Sequence, residues 1–406
     1  MSREVYNWQN HEHIPAVRTP KIPVEIDNET WRDGMQGSQV IKHPTVEQKA
    51  EYLRQTATLG FSDHFDIGFP ASGPRHIAEI VTLIDFSKSR KLPLTFSAAG
   101  RGAAAGDLRA ILEVAEKTGE PLEADLFLDV SSMRADVEKW DRNEKLEQLR
   151  ENIMFAKKSG LTVMFVPERA SDTKPEELFE ACKIAADAGV ERIGIADTRG
   201  ILTPVSTQRL FRAVFENVGS KYPDVKFDFH GHNDLNMGLA NCVVAAVEGA
   251  ERLHATSRGI GERAGNVPLE QLVVVLNLNG IRPSDTSRLH EFAEMASNIL
   301  SVPISSHEPI IGPESSTTAS GIHASTYAKD QDVYLPFNPS GVGLETHVRV
   351  GPLSSIANVY AFCKELEIRE ITEEEAVSVL NYAKNNGGLL IREEVFNILG
   401  LKGIAA

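Results

Sequence analysis

Short apolar runs that favour β-strands recur along the first two thirds of the chain, about 25–40 residues apart, and this repetition restricts the fold more than any other feature. Strand and helix alternating eight times over about 250 residues is typical of a (β/α)8 TIM barrel, whose active site lies at the carboxyl ends of the strands. The runs are Val24–Asp27, His64–Gly68, Leu94–Ser97, Leu126–Val130, Thr162–Val166, Arg192–Ala196, Lys226–Phe229 and Leu253–Ser257.

The segments between these runs have helical periodicity and helix-forming composition. Gly60, Gly160 and Gly189 each follow such a segment just before the next run, as glycines at helix ends do. A doubly wound open sheet is the competing α/β architecture. The barrel is favoured because eight units close it and because no GxGxxG motif follows the first run.

The alternation stops near Leu300, which suggests boundaries for the whole chain. We predict a polar N-terminal arm over residues 1–21, a catalytic TIM barrel over 22–300, a linker or subdomain over 301–356, and a helical subdomain over 357–406. The linker is dense in Pro, Gly, Ser and Thr, and such a long irregular stretch usually carries function. The C-terminal appendage is expected to be mainly helical.

Charge and cysteine content restrict the partners and the compartment. Acidic residues outnumber basic residues 57 to 42, and the net charge of −15 argues against binding to nucleic acid or to an anionic membrane. No apolar run of about 18 residues is present, and the N-terminus lacks the apolar segment of a signal peptide. Because Cys182, Cys242 and Cys363 are widely separated, we expect a reduced, cytoplasmic protein.

A pair of histidines at the end of the seventh run is the sharpest local signal. His230 and His232 are two residues apart, so on a strand both side chains point to one face with Cα atoms about 7 Å apart. With Asp33, which follows the first run, they form a two-histidine, one-carboxylate set for a divalent ion such as Zn2+, Mn2+ or Mg2+. Asn266, after the eighth run, could add a neutral oxygen. The alternative is a histidine pair satisfied by hydrogen bonds.

Two further charged residues follow strands and have competing interpretations. Arg32 adjoins Asp33, and it either forms a salt bridge at the barrel mouth or stabilises an oxyanion on a substrate. Glu168 follows the fifth run, and it is either an ordinary loop carboxylate or a catalytic group. Residues alone leave both alternatives open.

Three ordered motifs resemble a known family. The motifs TWRDGMQ at 30–36, HGHND at 230–234 and GERAGN at 261–266 are similar to those of the metal-dependent TIM-barrel synthases of 2-isopropylmalate, homocitrate and citramalate, with HMG-CoA lyase as a more distant relative. The resemblance spans about residues 22–355. It implies a Claisen-type condensation of acetyl-CoA with a 2-oxo acid, followed by thioester hydrolysis, so the chain would be an acyl-CoA:2-oxo acid acyltransferase of amino-acid biosynthesis.

The resemblance also implies roles for individual residues. Asp33, His230 and His232 would hold the metal, with Asn266 near it, and Arg32 would polarise the keto oxygen. Gln36 and Thr198 would bind the 2-oxo acid, with Thr198 at its carboxylate. His323 in the SGIH motif would be the catalytic base, assisted by Glu168 and followed by Tyr334. In the family the appendage reaches into the neighbouring barrel, which implies a swapped homodimer with shared active sites.

The sequence departs from the family pattern at two places that bear on the substrate. Met35 replaces the usual glutamate after RDG, and Arg134 stands where the synthases commonly carry a histidine. Together with Arg101, Arg134 suggests a substrate-binding pair of cations and a 2-oxo acid with a second anionic group. Alternatively, Arg134 pairs with a nearby carboxylate.

Two other functions compete with the synthase. A lyase that cleaves a hydroxyacyl-CoA is disfavoured, because HMG-CoA lyase has a cysteine in its glycine-rich loop and residues 259–268 have none. A non-catalytic metabolite sensor on the same fold is disfavoured, because the set of polar residues named above includes a base that a sensor does not need.

Overall fold

The computed structural model describes residues 23–327, 329–330 and 333–401. The predicted N-terminal arm, 1–21, lies outside the described residues. The chain folds into two compact units. The first comprises the described residues up to 285 together with 292–303, and the second comprises 286–291 together with the described residues from 304 onward. The four-segment division proposed from the sequence remains a prediction.

The first unit is a closed barrel of parallel strands that follow one another in sequence order, β1 to β8. The predicted (β/α)8 TIM barrel is therefore confirmed. The longest pairing joins β4 to β5, from Glu123 opposite Thr162 to Asp129 opposite Glu168. The strands are β1 Glu25–Asn28, β2 His64–Asp66, β3 Thr95–Arg101, β4 Glu123–Asp129, β5 Thr162–Glu168, β6 Arg192–Asp197, β7 Lys226–Gly231 and β8 Arg252–Ala255.

Helices connect the strands, and local signals set their ends. In α1, for example, the Thr45 hydroxyl accepts from the Gln48 amide and the Gln48 side chain accepts from the Thr45 amide, while Gly60 ends the helix at φ +68°. The helices of this part of the chain are α1 Val46–Leu59, α2 Pro74–Ser89, α3 Ala105–Thr118, α4 Ser132–Glu138, α5 Arg142–Lys158, α6 Pro175–Ala188, α7 Pro204–Val214, α8 Gly238–Glu248, α9 Leu269–Leu278 and α10 Leu289–Leu300.

Side chains alternate between the helix layer and the barrel interior, as the two-residue period of a strand requires. In β4, Ala124 and Leu126 are fully buried on the outer face, whereas Asp125 and Phe127 line an interior cavity. The same alternation places polar residues of the other strands inside the barrel.

An ion network occupies the interior. Oδ1 of Asp228 accepts from Nη2 of Arg192 at 2.6 Å, and Oδ2 accepts from Nε of Arg252 at 2.7 Å. Arg252 also donates to Glu123 on β4. Burial favours the neutral acid, but the two guanidinium groups hold the pKa of Asp228 well below its usual range. Asp228 is therefore a carboxylate shared by two arginines.

The second unit has its own hydrophobic core, in which Val350, Val359 and Phe362 are buried. Two short strands, β9 Thr317–Thr318 and β10 His347–Val348, pair in parallel. The C-terminal region is mainly helical, as predicted, with α11 Gly321–Tyr327, α12 Ile356–Glu365, α13 Glu373–Asn386 and α14 Arg392–Ile398. Among the residues with a described placement, no helix is both long and apolar enough to cross a bilayer.

Candidate active site

A cavity of about 310 Å³ occupies the barrel toward the carboxyl ends of the strands. Most of the barrel residues proposed from sequence or resemblance line it, and additional lining residues come from strands around the barrel. The lining residues are Glu29, Arg32, Asp33, Gln36, Ala99, Asp125, Phe127, Met164, Val166, Glu168, Ala196, Thr198, His230, His232, His254, Glu262 and Arg263.

The two histidines and the aspartate of the predicted metal set converge. The Nε2 atoms of His230 and His232 are 3.4 Å apart, and Nε2 of His232 is 3.9 Å from Oδ2 of Asp33. All three side chains are buried. Two nitrogens bound about 2.1 Å from one ion at a tetrahedral angle are about 3.4 Å apart, so this spacing fits a shared cation.

The protonation states also fit a cation. Burial, together with the neighbouring His230 ring, lowers the pKa of His232 to about 4, so the ring is neutral near pH 7 and offers a lone pair. Burial favours neutral Asp33, but Arg32 and His230 hold its pKa below the usual range. Buried Oδ1 of Asn266 has no hydrogen-bond partner among the described residues. The neutral imidazole of His232, the Asp33 carboxylate and an amide oxygen without a partner among the described residues suit a divalent metal.

Glu29, His230 and His254 form a second group whose ligand atoms are close together. Nδ1 of His254 is 3.0 Å from Oε1 of Glu29, and Nδ1 of His230 is 2.7 Å from Oε2 of Glu29. Burial disfavours a charged imidazole, yet Glu29 and Asp228 raise the pKa of His254 well above its usual range. A protonated ring cannot ligate a metal, so Asp33, His230 and His232 are the better ligand set.

Three carboxylates hold Arg32 at the barrel mouth. Its Nη2, Nη1 and Nε lie 2.5 Å from oxygens of Glu29, Asp33 and Asp66, respectively. Burial disfavours the charged form, but these carboxylates raise the pKa of Arg32 well above its usual range. Because a guanidinium carries five N–H donors and three are engaged here, two remain for a ligand. Arg32 can therefore form salt bridges at the barrel mouth and also stabilise an oxyanion on a substrate.

The glycines of the GERAGN motif let its backbone hold Asn266 against Asp33. Nδ2 of Asn266 donates to Oδ2 of Asp33 at 2.7 Å. Gly265 has a φ of +90°, and a Cβ added there would collide with the carbonyl oxygen of Gly259. A side chain is therefore excluded at residue 265 both by backbone conformation and by space.

Glu168, Thr198 and Gln36 all line the cavity. Burial, reinforced by Asp129, raises the pKa of Glu168, against the opposing effect of Arg134 and Arg169. The Thr198 hydroxyl accepts a hydrogen bond of 2.8 Å from the Arg169 amide. Gln36 is exposed at the end of a short 3-10 helix, Gly34–Gln36.

Arg101 and Arg134, proposed to bind an anionic substrate group, are not among the cavity-lining residues. Nε of Arg101 donates to Asp107 at 2.8 Å, and 63% of the arginine side chain is exposed. Nη2 of Arg134 is 3.1 Å from Glu138, one turn later in α4. Arg134 thus pairs with a nearby carboxylate, and its role at the substrate stays a prediction.

His323 and Tyr334 belong to the second compact unit. Their rings stack with centroids 4.1 Å apart and an interplanar angle of 21°. Both residues are exposed, Tyr334 at 44%. His323 and Tyr334 are therefore in contact within this unit.

Glu29, Asp66, Asp125 and His254 take part in this environment, although sequence reasoning did not select them. Asp66 and His254 lie inside predicted strands and alternate with apolar residues, and this alternation is the signal that could have found them. Glu29 and Asp125 lie just outside the predicted runs, so the same signal does not reach them.

The chain is similar to proteins of known type. The model of the HMGL-like family matches residues 24–297. A Methanopyrus kandleri protein described as an (R)-citramalate synthase is 31% identical over 381 residues, which cover 92% of this chain and 70% of that protein. A homocitrate synthase of Saccharolobus islandicus is 32% identical over 327 residues, which cover 79% and 68%, respectively.

Among solved structures, the HMG-CoA lyase of Bacillus subtilis matches with a TM-score of 0.59 at 21% sequence identity, covering 71% of this chain and 97% of that one. At this identity the likeness supports the fold alone. The motifs of the cavity, the family match over residues 24–297 and the relatives above 30% identity agree, and the chain belongs to the HMGL-like family.

Proposed function

We propose that the protein condenses acetyl-CoA with a 2-oxo acid and hydrolyses the thioester, giving a 2-hydroxy diacid or triacid and CoA. The observation that carries the proposal is the placement of Arg32 beside Asp33, His230 and His232 in one cavity. Relatives described as citramalate and homocitrate synthases support the same reaction class.

Asp33, His230 and His232 would hold a divalent metal, with Asn266 beside them, and Zn2+, Mn2+ and Mg2+ are the candidates. When bound, the ion supplies a Lewis acid for the oxygens of the 2-oxo acid. Arg32 directs its two remaining N–H donors to the keto oxygen and stays charged as negative charge develops there. Thr198 and Gln36 position the substrate.

A base must remove a proton from the methyl group of acetyl-CoA before the resulting enolate attacks C2 of the 2-oxo acid. We assign this role to His323, assisted by Tyr334 and by Glu168. The exposure of His323 and its stacking on Tyr334 support the assignment, because an exposed pair is accessible to a site on another copy. We therefore propose a swapped homodimer in which His323 completes the partner's cavity.

Release of free thiol tests the reaction directly. Purified protein with Mn2+, Mg2+ or Zn2+, acetyl-CoA and a panel of 2-oxo acids should release CoA with at least one acid, and Arg32→Ala should abolish the release. Arg150→Ala is the control, because Arg150 pairs with Glu147 on the exposed face of α5. Cleavage of a hydroxyacyl-CoA without any condensation would instead identify a lyase, and the absence of both reactions would favour a sensor.

A further inference from the structure

Asp125 is a buried carboxyl group on the cavity wall that the reaction above does not use. Only 3% of the residue is exposed, and it lines the cavity from β4. Neither of its oxygens has a hydrogen-bond partner among the residues described in the structure. A buried polar group without partners is destabilising, so this position calls for a ligand that satisfies it.

The surroundings of Asp125 disfavour a negative charge. Burial, reinforced by Glu123, Asp66 and Asp27, raises its pKa well above the usual range, with Arg252 opposing. A neutral carboxylic acid offers one O–H donor and one carbonyl acceptor. The same acidic neighbours repel a second anion brought to this end of the cavity.

The barrel order places Asp125 opposite the predicted metal ligands. It is paired in register with Ala99 on β3 and Met164 on β5, whereas His230 lies on β7, three strands away. A 2-oxo acid bound by its carboxylate and keto oxygens near His230 therefore extends its side chain toward β4. Ala99, Met164 and Phe127 are apolar residues of the cavity lining on β3, β5 and β4, and Asp125 is a polar residue among them.

We propose that Asp125 is a specificity-determining residue that selects 2-oxo acids whose side chain ends in an uncharged hydrogen-bonding group, such as a hydroxyl. This inference rests on the proposed function, since it names the substrate class of the same site. It replaces the expectation of a second anionic group, for which Arg101 and Arg134 would have been needed at the cavity. A site built to bond a hydroxyl also discriminates against the alkyl analogue that lacks it.

Three 2-oxo acids of similar size test the proposal in the thiol-release assay. The wild-type protein should have a kcat/KM for 4-hydroxy-2-oxobutanoate at least about tenfold above that for 2-oxopentanoate, which replaces the hydroxyl with a methyl group. Its kcat/KM for 2-oxoglutarate, which brings a second carboxylate, should be the lowest of the three.

Two substitutions then test whether hydrogen bonding by the Asp125 side chain causes the substrate preference. Asp125→Leu should bring the hydroxyl-to-alkyl ratio below one, whereas Asp125→Asn should keep it above one, because an amide also donates and accepts. Circular dichroism confirms that each variant is folded, and the wild-type substrate order tests the proposal even if Asp125→Leu does not fold.

The outcomes distinguish this inference from the proposed function. A wild-type preference for 2-oxopentanoate or 2-oxoglutarate overturns the inference while the condensation stands, and so does an unchanged ratio in folded Asp125→Leu. If no 2-oxo acid, including pyruvate, releases CoA, the proposed function itself fails.

Discussion

Nδ2 of Asn266 donates a hydrogen bond to Oδ2 of Asp33 at 2.7 Å, although the two residues are 233 positions apart in the sequence. The bond fixes which end of the amide faces the carboxylate, and so it leaves the amide oxygen, Oδ1, without a partner among the described residues. Asp33 and Asn266 are thus oriented relative to each other by the fold itself, as metal ligands and their neighbours usually are.

Replacing His232 should weaken metal binding. His232→Ala removes one of two imidazoles whose Nε2 atoms lie 3.4 Å apart, so we expect at least a tenfold loss of affinity for Zn2+ or Mn2+ in isothermal titration calorimetry. His76→Ala is the matched control, because His76 is exposed on α2. Equal affinity in the two variants would remove His232 from the ligand set.

Replacing Arg32 with lysine should lower kcat even though the charge is retained. A compact ammonium cannot engage Glu29, Asp33 and Asp66 together and still present two donors to the substrate. We expect kcat to fall about 10²- to 10³-fold in the thiol-release assay. Arg150→Lys, on the exposed face of α5, should retain wild-type kcat. A wild-type rate in Arg32→Lys would mean that the fixed guanidinium geometry has no part in the reaction.

A methyl group at residue 265 should destabilise the barrel mouth. In Gly265→Ala the added carbon would meet the Gly259 carbonyl oxygen, in a backbone conformation that disfavours side chains. We expect the free energy of unfolding, measured with urea, to fall by about 1–3 kcal/mol. Gly106→Ala is the control, because α3 leaves open space around Gly106, and its stability should be unchanged or slightly higher. Equal stability of both variants would argue against the strained turn.

Mixed dimers should reveal shared active sites. Arg32→Ala and His323→Ala are each expected to be inactive as purified proteins. If His323 acts in the partner's cavity, each mixed dimer contains one intact site and one doubly altered site. Refolding the two variants together in equal amounts should then restore about one quarter of wild-type activity, by random pairing. No recovery, in spite of mixed dimers detected by mass spectrometry, would place both groups in the same subunit.

The activity should depend on the ionisation of Glu168. Burial and Asp129 raise the pKa of this carboxyl, so as the pH falls it becomes protonated at a higher pH than an ordinary glutamate, whose pKa is about 4.3. If its carboxylate assists the base, kcat/KM should decline as the pH drops through that raised pKa. Glu168→Gln should remove this acidic limb and lower the plateau about 10²-fold. If kcat/KM of Glu168→Gln declines at acidic pH as it does in the wild-type protein, the decline is caused by another group.

Much of the barrel follows from its sequence pattern, because its strands are apolar and its helices are amphipathic. The fourth strand shows where the pattern fails. The apolar run predicted a start at Leu126, whereas β4 starts at Glu123. Glu123 and Asp125 are acids facing a polar interior, and an apolar pattern does not detect such positions. The segment between the fourth and fifth runs forms two helices, α4 and α5, and Ser131 caps α4 by accepting from the Arg134 amide at 3.2 Å.

Short motifs at the carboxyl ends of strands predicted candidate residues such as Asp33, after β1, and His230, near the end of β7. Prediction was poorer for side-chain direction. The distance of Arg134 from the strand did not predict that its side chain pairs with Glu138, one helical turn later. Partners far apart in the sequence, such as His254 on β8 beside Glu29 after β1, are brought together only by barrel closure, which the local sequence does not encode.

The shared carboxylate of Asp228 has a consequence for how this chain can diverge over generations. Neutralising Asp228 alone would remove the carboxylate that buried Arg192 and Arg252 share and would leave Arg252 with Glu123. Breaking a buried ion pair in this way typically costs about 3–5 kcal/mol. Each of these three residues therefore depends on the other two for its stability in the interior. In proteins descended from this one, Asp228, Arg192 and Arg252 should therefore all be retained or be substituted together. Single substitutions at these three positions should be rare.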